Sequence, residues 1–568
     1  MIKGVDYPEW ITDAGLKTLK NGYLLENENV FGMYRRVAKA ASINVNRLDL
    51  EDRFYEAMVK NWLCPATPIL SNLGTSRGLP ISCFGLSVPD SVDGIYKSVH
   101  ELAMLSKHGG GVGVGMSAIR GRGSKIKDGA NGLSEGVVPW AKVFDSATIA
   151  TSQGNVRRGA TSVNLHIDHI DIEEFLRIRR QVGDVNRQCL NLNTCVIVSD
   201  NFMHRLEDKD PEARKLWIAI LKERLETGEP YLMFEDTVNK ANPQAYINNN
   251  LKVSMTNICS EITLHTDDEH SFVCCLSSLN VAKWDEWKDT DLPELAVYFL
   301  DGVISEFIER AKNIPGFERS VRFAQKSRAI GIGALGWHTL LQSRMIPFDS
   351  FDAMMLNADI FKTIRQKAEK ASRDMSLTHG EPEWCKGSGM RHTHLIAIAP
   401  TRSNSIISGE VSYGIEPIPA NAYADKTSKG VFLVKNSICE ALIKSKNKDT
   451  SEVWKSIVAN GGSVQHLDFL TDAEKKVFLT AREINQMAII RQASQRQKFI
   501  DQAQSLNLFF PVDVDPAWFN KVHVEAWKMG VKTLYYCRSS SVLKADISSR
   551  QAKEKNKSDE GDCLSCHG

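Results

Sequence analysis

The chain has 568 residues, enough for about three to five domains or for one large α/β barrel. Hydrophobic residues make up 42% and charged residues 24%, a globular balance that can bury a core without covalent staples. Lys and Arg number 70 against 69 Asp and Glu, and a net charge of +1 excludes nucleic-acid binding through bulk positive charge.

No apolar run approaches the roughly 18 residues of a membrane span, and MIKGVDYPEW has no apolar signal core. A cytoplasmic location is expected. Twelve cysteines are too sparse for a disulfide scaffold and too scattered for a four-cysteine zinc site. Cys64, Cys189, Cys195, Cys385, Cys439 and Cys537 are expected to act as small buried hydrophobes.

Residues 1–60 read as helical, with Phe31, Tyr34, Val37 and Ala38 at helical spacing. From about 61 to 130 the chain is rich in Gly, Pro and Ser. Within it, GGGVGVG at 109–115 lacks the Gly-Lys-Ser/Thr of a phosphate loop, so its glycines point to close backbone packing or a mobile loop. CVIV at 195–198 is a short buried-strand candidate. Residues 211–227 form an amphipathic helix with a stripe of Leu216, Trp217, Ile220, Leu221 and Leu225, ended by Gly228 and Pro230.

Asn257, Cys259 and Glu261 follow within SMTNICSEI. On an extended chain these positions share one side, about 7 Å per step, and present an amide, a thiol and a carboxylate in a row. A thiol beside an acid/base group suits proton or hydrogen-atom chemistry. An ordinary exposed strand is the other reading.

A second amphipathic helix is expected over 293–312. Gly331–Gly336 matches G-x-G-x-x-G but follows no buried strand and has no ribose-binding acid downstream, so a dinucleotide fold is rejected. LIAIA at 395–399 reads as a strand running into Pro400, Thr401, Arg402, Ser403, Asn404 and Ser405. Thr, Ser and Asn are good N-caps, and free N–H groups at a helix start bind phosphate; a plain capped helix is the alternative. Strands alternating with helices suggest an α/β barrel or a large open sheet.

Tyr535 and Tyr536 stand side by side before the end. From Ser539 on there is no Phe, Trp or Tyr, and a mobile tail is expected. It closes on GDCLSCHG. Cys563 and Cys566 read as a tethered, exchangeable dithiol, or as half a zinc site beside His567.

Together these motifs resemble the large, catalytic (α) subunit of class I ribonucleotide reductase, over about 61–538 and the terminal thiol pair. The resemblance implies a ten-stranded α/β barrel made of two five-stranded halves. A finger loop would run through its centre, a shortened helical region would occupy 1–60, and a redox tail 539–568. The family's ATP-cone domain is expected to be absent, as in compact phage-encoded or minimal bacterial forms.

By this resemblance Cys259 would be the thiyl radical that takes the ribose 3′-hydrogen, Glu261 the base on the 3′-hydroxyl, and Asn257 a sugar ligand. Cys83 and Cys274 would be the reducing pair, with Cys275 an extra neighbour, and Cys563 and Cys566 would re-reduce them. Substrate phosphates would lie on Thr401 to Ser405, helped by Thr67 and Ser82, and Arg402 stands where smaller residues are usual. Tyr535 and Tyr536 would carry the oxidising equivalent from a separate, metal-containing β subunit, so this chain itself would bind no metal. A deoxynucleoside triphosphate or ATP effector would meet Asp90, Ser91, Val92, Arg120, Lys127, Gln153 and Arg157 at a homodimer interface, with Asn155 where glycine is more usual. Thioredoxin or glutaredoxin would reduce the tail, and ribonucleoside diphosphates would be the substrates. A cobalamin-dependent reductase and a non-catalytic nucleotide-binding or thiol-shuttle relative are the competing readings.

Overall fold

Short polar side chains set the helix starts, as the orphan N–H groups of a first turn require. Asn29 Oδ1 accepts from Gly32 N at 2.8 Å at the head of the helix Val30–Asn44. Asp210 caps Pro211–Thr227, with Pro at its first position and left-handed Gly228 (φ 89°) at its end, matching the sequence expectation at both boundaries. The computed structural model describes residues 6–126, 132–151, 159–427 and 430–539.

The N-terminal helices bury Met33, Tyr34, Val37, Ala38 and Ala41, while Phe31 lies at the stripe's edge. They dock on the long helix Leu292–Ala311, where the Phe54 and Phe299 rings meet edge to face at 5.4 Å.

The barrel can be traced strand by strand. β1 (Leu63–Pro65) is a short flank. β2 (Cys83–Ser87), β3 (Gly111–Gly115), β4 (Ala160–His166), β5 (Leu192–Val198) and β6 (Tyr231–Phe234) pair in parallel as one half. β7 (Phe272–Asn280) runs antiparallel to β2 and β1 and parallel to β8 (Ile330–Leu335). From β8 the pairing passes to 395–399 through the bridge Ile332–Ile396, and on to 502–506 through Ile398–Gln504. Away from the ring, β9 (Ala422–Thr427) and β10 (Gly430–Lys435) form a hairpin beside a small separate core around Trp454 and Phe478. β11 (Leu508–Phe509) continues the ladder just outside the barrel. Tyr535 N donates to Leu506 O at 2.9 Å, beside β12 (Thr533–Leu534), which is antiparallel to β6. β13 (Cys537–Arg538) pairs with β11.

The ring therefore closes on ten segments. Five run parallel in each half, and the halves meet antiparallel at β2/β7 and β6/β12.

For the run at 109–115 the structure bears out close backbone packing, the first of the two readings. Residues 111–115 are strand β3, not a mobile loop, and Ile330–Leu335 is itself the fully buried strand β8. Their glycines serve close approach. A Cβ on Gly113 would lie 2.4 Å from Thr256 O, and one on Gly331 would lie 2.4 Å from Leu276 Cδ2 and 3.3 Å from Cys274 Sγ. Among the described residues, no helix is long and apolar enough to cross a membrane.

Candidate active site

A loop from about 253 to 264 enters the barrel through the gap that the β3 glycines leave, and every residue of it except Ser254 is buried. Asn164 on β4 holds the stem: its Oδ1 accepts from Thr256 N at 3.3 Å and its Nδ2 donates to Thr256 O at 3.3 Å. The tip is a turn, with Ser260 left-handed at φ 67°. The extended row expected for 257, 259 and 261 is thus replaced by a bend.

Each of the three is anchored differently. Asn257 Oδ1 accepts from Ile262 N at 3.1 Å, and its buried Nδ2 makes no close hydrogen bond among the described residues, only a looser approach to the Glu261 carboxyl. A donor so loosely satisfied can turn to a ligand hydroxyl. Cys259 is 2% exposed, and its carbonyl oxygen lies 2.5 Å from Ser505 Oγ. Ser505 Oγ also lies 3.1 Å from Glu261 Oε2, and Ala503 N donates to Glu261 O at 2.9 Å. Burial pushes the Glu261 carboxyl up to about 7, against the lowering effect of its own backbone, Asn257 and Ser505.

Beside the finger, Cys83 on β2 faces Cys274 on β7 in register. Alternation along β7 separates Cys274 from Cys275. Cys274 Sγ accepts from Gln502 Nε2 at 3.4 Å and feels Cys83 and Glu261. Cys275 lies nearer Asp301 and Arg328, the buried ion pair behind the barrel wall, though it too feels Cys83. Burial raises both thiols well above 9, so both are protonated at neutral pH. Every described cysteine is free and buried, including the six expected to be small hydrophobes.

Models of protein families match nearly the whole described chain. The ribonucleotide reductase barrel domain matches 81–211, 207–388 and 382–537, and the ribonucleotide reductase all-alpha domain matches 9–78.

The chain belongs to the ribonucleotide reductase large-subunit family.

A protein of Frog virus 3 (isolate Goorha) is 39% identical, with both chains covered in full. The ribonucleoside-diphosphate reductase large subunit of Invertebrate iridescent virus 3 is 35% identical over 98% of each. Among solved structures, the Actinobacillus ureae class Id ribonucleotide reductase alpha subunit superposes with a TM-score of 0.87 at 41% identity, covering 94% of this chain and 99% of that one.

The reductase barrel also positions the remaining candidates. The helix Arg402–Ile407 packs against β1, with Asn404 Nδ2 donating to Pro65 O at 2.9 Å, next to buried Thr67. Thr401 does not cap by its side chain; it is left-handed at φ 55°, and its Oγ1 accepts from Gly414 N at 2.7 Å. Ser403 and Ser405 are buried and Arg402 is exposed. Ser82, also buried, precedes Cys83 and accepts from Gly111 N at 2.7 Å.

The Tyr535 and Tyr536 rings lie 4.4 Å apart. Tyr231 on β6 completes a cluster, 4.6 Å from Tyr535 and 4.9 Å from Tyr536. Asn193 Nδ2 donates to the Tyr536 hydroxyl at 3.1 Å and to buried Glu229 at 2.6 Å. Glu416, pushed up to about 7 by burial, accepts from Asn507, whose Oδ1 accepts from Tyr536 N at 3.0 Å.

At the other end of β2, Asp90 and Arg120 form an ion pair at 3.0 Å, Ser91 caps the helix Val92–Lys107, and Val92 is 62% exposed. Lys127, Gln153, Asn155, Arg157, Cys563 and Cys566 lie outside the described residues. Sequence reasoning missed Asn164, Ser505, Gln502, Tyr231, Asn193, Glu229 and Glu416. Each is brought in by pairing between distant segments and carries no local signature, apart from the unusual run of polar residues in DQAQS at 501–505.

Proposed function

We propose that this reductase subunit converts ribonucleoside 5′-diphosphates to 2′-deoxyribonucleotides, with Cys259 as the hydrogen-abstracting thiyl. The observation that carries the reading is a buried finger bearing Asn257, Cys259 and Glu261, with the Glu261 carboxyl close enough to act on Cys274, which faces Cys83 in register. The Cys259 thiyl takes the 3′-hydrogen and becomes a thiol, leaving a carbon radical at C3′. Glu261 takes the 3′-hydroxyl proton, and a thiol of the pair protonates the departing 2′-hydroxyl, which leaves as water. Cys83 and Cys274 then supply two electrons and the remaining thiol hydrogen, which goes to C2′, and end as a disulfide, while Glu261 returns its proton to the 3′-oxygen. Return of hydrogen from Cys259 to C3′ restores the thiyl. Exclusion of water protects the radical and fixes the reacting atoms.

The oxidising equivalent would come from a radical-bearing β subunit through Tyr536 and Tyr535. Cys563 and Cys566 would reopen the disulfide by exchange, with thioredoxin or glutaredoxin as the final reductant. The phosphates would lie on Thr401 to Ser405 with Thr67 and Ser82. A deoxynucleoside triphosphate would bind at Asp90, Ser91, Val92 and Arg120, with Lys127, Gln153 and Arg157, in a homodimer. Residues 1–60 would then act as the helical flank, 61–538 as the catalytic barrel and 539–568 as the tether.

Calorimetry of GDP binding to the reduced chain, with and without dTTP, tests this without a partner subunit. The expected result is tighter GDP binding with dTTP, a coupling of about 1–3 kcal/mol. Failure of folded protein to bind either nucleotide would refute the assignment.

The pH profile tests Glu261. A base must be ionised, so kcat/KM should rise as pH passes upward through about 7. Glu261→Gln should remove that limb and lower the rate roughly 10²- to 10⁴-fold. Because the folded value lies above the ordinary 4.5, protonated Glu261 favours folding, and that contribution is lost as pH rises through about 7. The variant should therefore melt with less dependence on pH between 5 and 8. An unchanged rate profile in the variant would assign the limb to another group.

A further inference from the structure

The segment that returns the chain from the finger to β7 gathers three metal-ligating side chains at one point. His265, Asp267 and His270 each offer a donor atom within 4.8 Å of the others. His265 Nε2 lies 3.0 Å from Asp267 Oδ2, and His270 Nδ1 lies 2.9 Å from Asp267 Oδ1. None of the three belongs to the machinery described above.

The other nitrogen of His265 decides its tautomer. Nδ1 lies 2.7 Å from the Lys252 carbonyl oxygen, which can only accept, so Nδ1 carries the hydrogen. A neutral ring then turns the Nε2 lone pair toward a carboxylate. Two acceptors 3.0 Å apart repel unless a cation lies between them, either a second proton or a metal ion. A ring N–H given to a backbone carbonyl is also the outer-shell arrangement of metal-bound histidines.

The ligand set is held in place. Glu269 N and His270 N each donate to Asp267 Oδ1 at 2.8 Å. The His265 and His270 rings pack on Trp384 at 5.9 and 5.0 Å, and His265 N donates to the Tyr246 hydroxyl at 3.0 Å. His270 Nε2 has no hydrogen-bond partner among the described residues, so ligation through Nδ1 leaves a buried N–H there that the metal bond has to offset. The surrounding cations have carboxylate partners other than Asp267, Arg319 with Glu101 at 2.9 Å, Arg322 with Glu269 at 3.1 Å and Lys326 with Glu383 at 3.0 Å, although Arg319 also donates to the Asp267 backbone oxygen and Lys326 acts on His270. The Asp267 charge is left for the two imidazoles and whatever they bind.

We propose that His265, Asp267 and His270 form a divalent-metal site that pins the loop between the finger and the strand carrying Cys274. Two imidazoles, one carboxylate and open positions for water suit Zn²⁺ among the common ions.

The terminal thiols could capture the same ion, so the test uses the full-length chain with Cys563→Ser and Cys566→Ser, titrated with Co²⁺ as the probe. One equivalent should bind, with visible d–d bands and no thiolate-to-cobalt charge-transfer band. His265→Gln and Asp267→Asn should each weaken binding by more than the roughly 10- to 100-fold that loss of an outer-shell partner brings. Glu269→Gln, exposed on the same loop, should bind as the parent does. Zn²⁺ should raise the melting temperature of the parent in a concentration-dependent way and leave that of Asp267→Asn unmoved. The proposal is overturned if the folded parent binds no Co²⁺, if the spectrum shows thiolate ligation, or if both ligand variants bind as tightly as the parent.

Discussion

Replacing Cys259 by serine is expected to bring turnover to the assay background while GDP still binds and responds to dTTP. Cys259 is 2% exposed at the finger tip, and its contact with Ser505 is through the backbone carbonyl, which the substitution keeps. Serine changes one atom of the side chain. An O–H bond is much stronger than an S–H bond, so an oxidant able to make the thiyl cannot make the alkoxyl. The assay is deoxynucleotide formation with a radical-supplying β subunit, run beside the calorimetric titration. Activity that survives would sink the radical assignment. Loss of nucleotide binding together with activity would instead report a displaced finger.

Gly113→Ala is expected to destabilise the protein by about 1–3 kcal/mol and to cost more in rate than in stability. The added Cβ would lie 2.4 Å from Thr256 O and 3.0 Å from the Asn257 Cα. Both are backbone atoms, so no rotamer change relieves the clash. The finger stem must move, and its two 3.3 Å bonds to Asn164 must stretch with it. A reacting group misplaced by about 1 Å loses on the order of 100-fold in rate. Urea midpoints and single-turnover rates on the same preparation separate the two effects. Equal stability and equal rate would mean that the finger does not rest on β3.

Much of the site was legible because its chemistry is local. Asn257, Cys259 and Glu261 fall within five positions, Tyr535 and Tyr536 are adjacent, and caps and periodicity placed the helices Pro211–Thr227 and Leu292–Ala311 to within a residue. The arrangement was less legible. An extended row was expected where the chain turns at left-handed Ser260, because spacing alone does not reveal a reversal. The glycine runs at 111–115 and 330–335 did not read as strands because glycine weakens any strand judged by propensity. In the barrel they are strands, since only a missing side chain admits the finger or the neighbouring wall.

The sequence by itself determined which groups are available: the finger residues, the thiols, the tyrosine pair and a charge balance that leaves bulk electrostatics out of substrate choice. Tertiary structure decided which of them meet. Register set Cys83 opposite Cys274, and strand alternation turned Cys275 toward the Asp301–Arg328 pair. Closure of the ring brought Tyr231 from β6 against Tyr535 and Tyr536, and Ser505 against Glu261, across hundreds of residues. Those contacts depend on pairing between distant strands, which no window of neighbouring residues encodes.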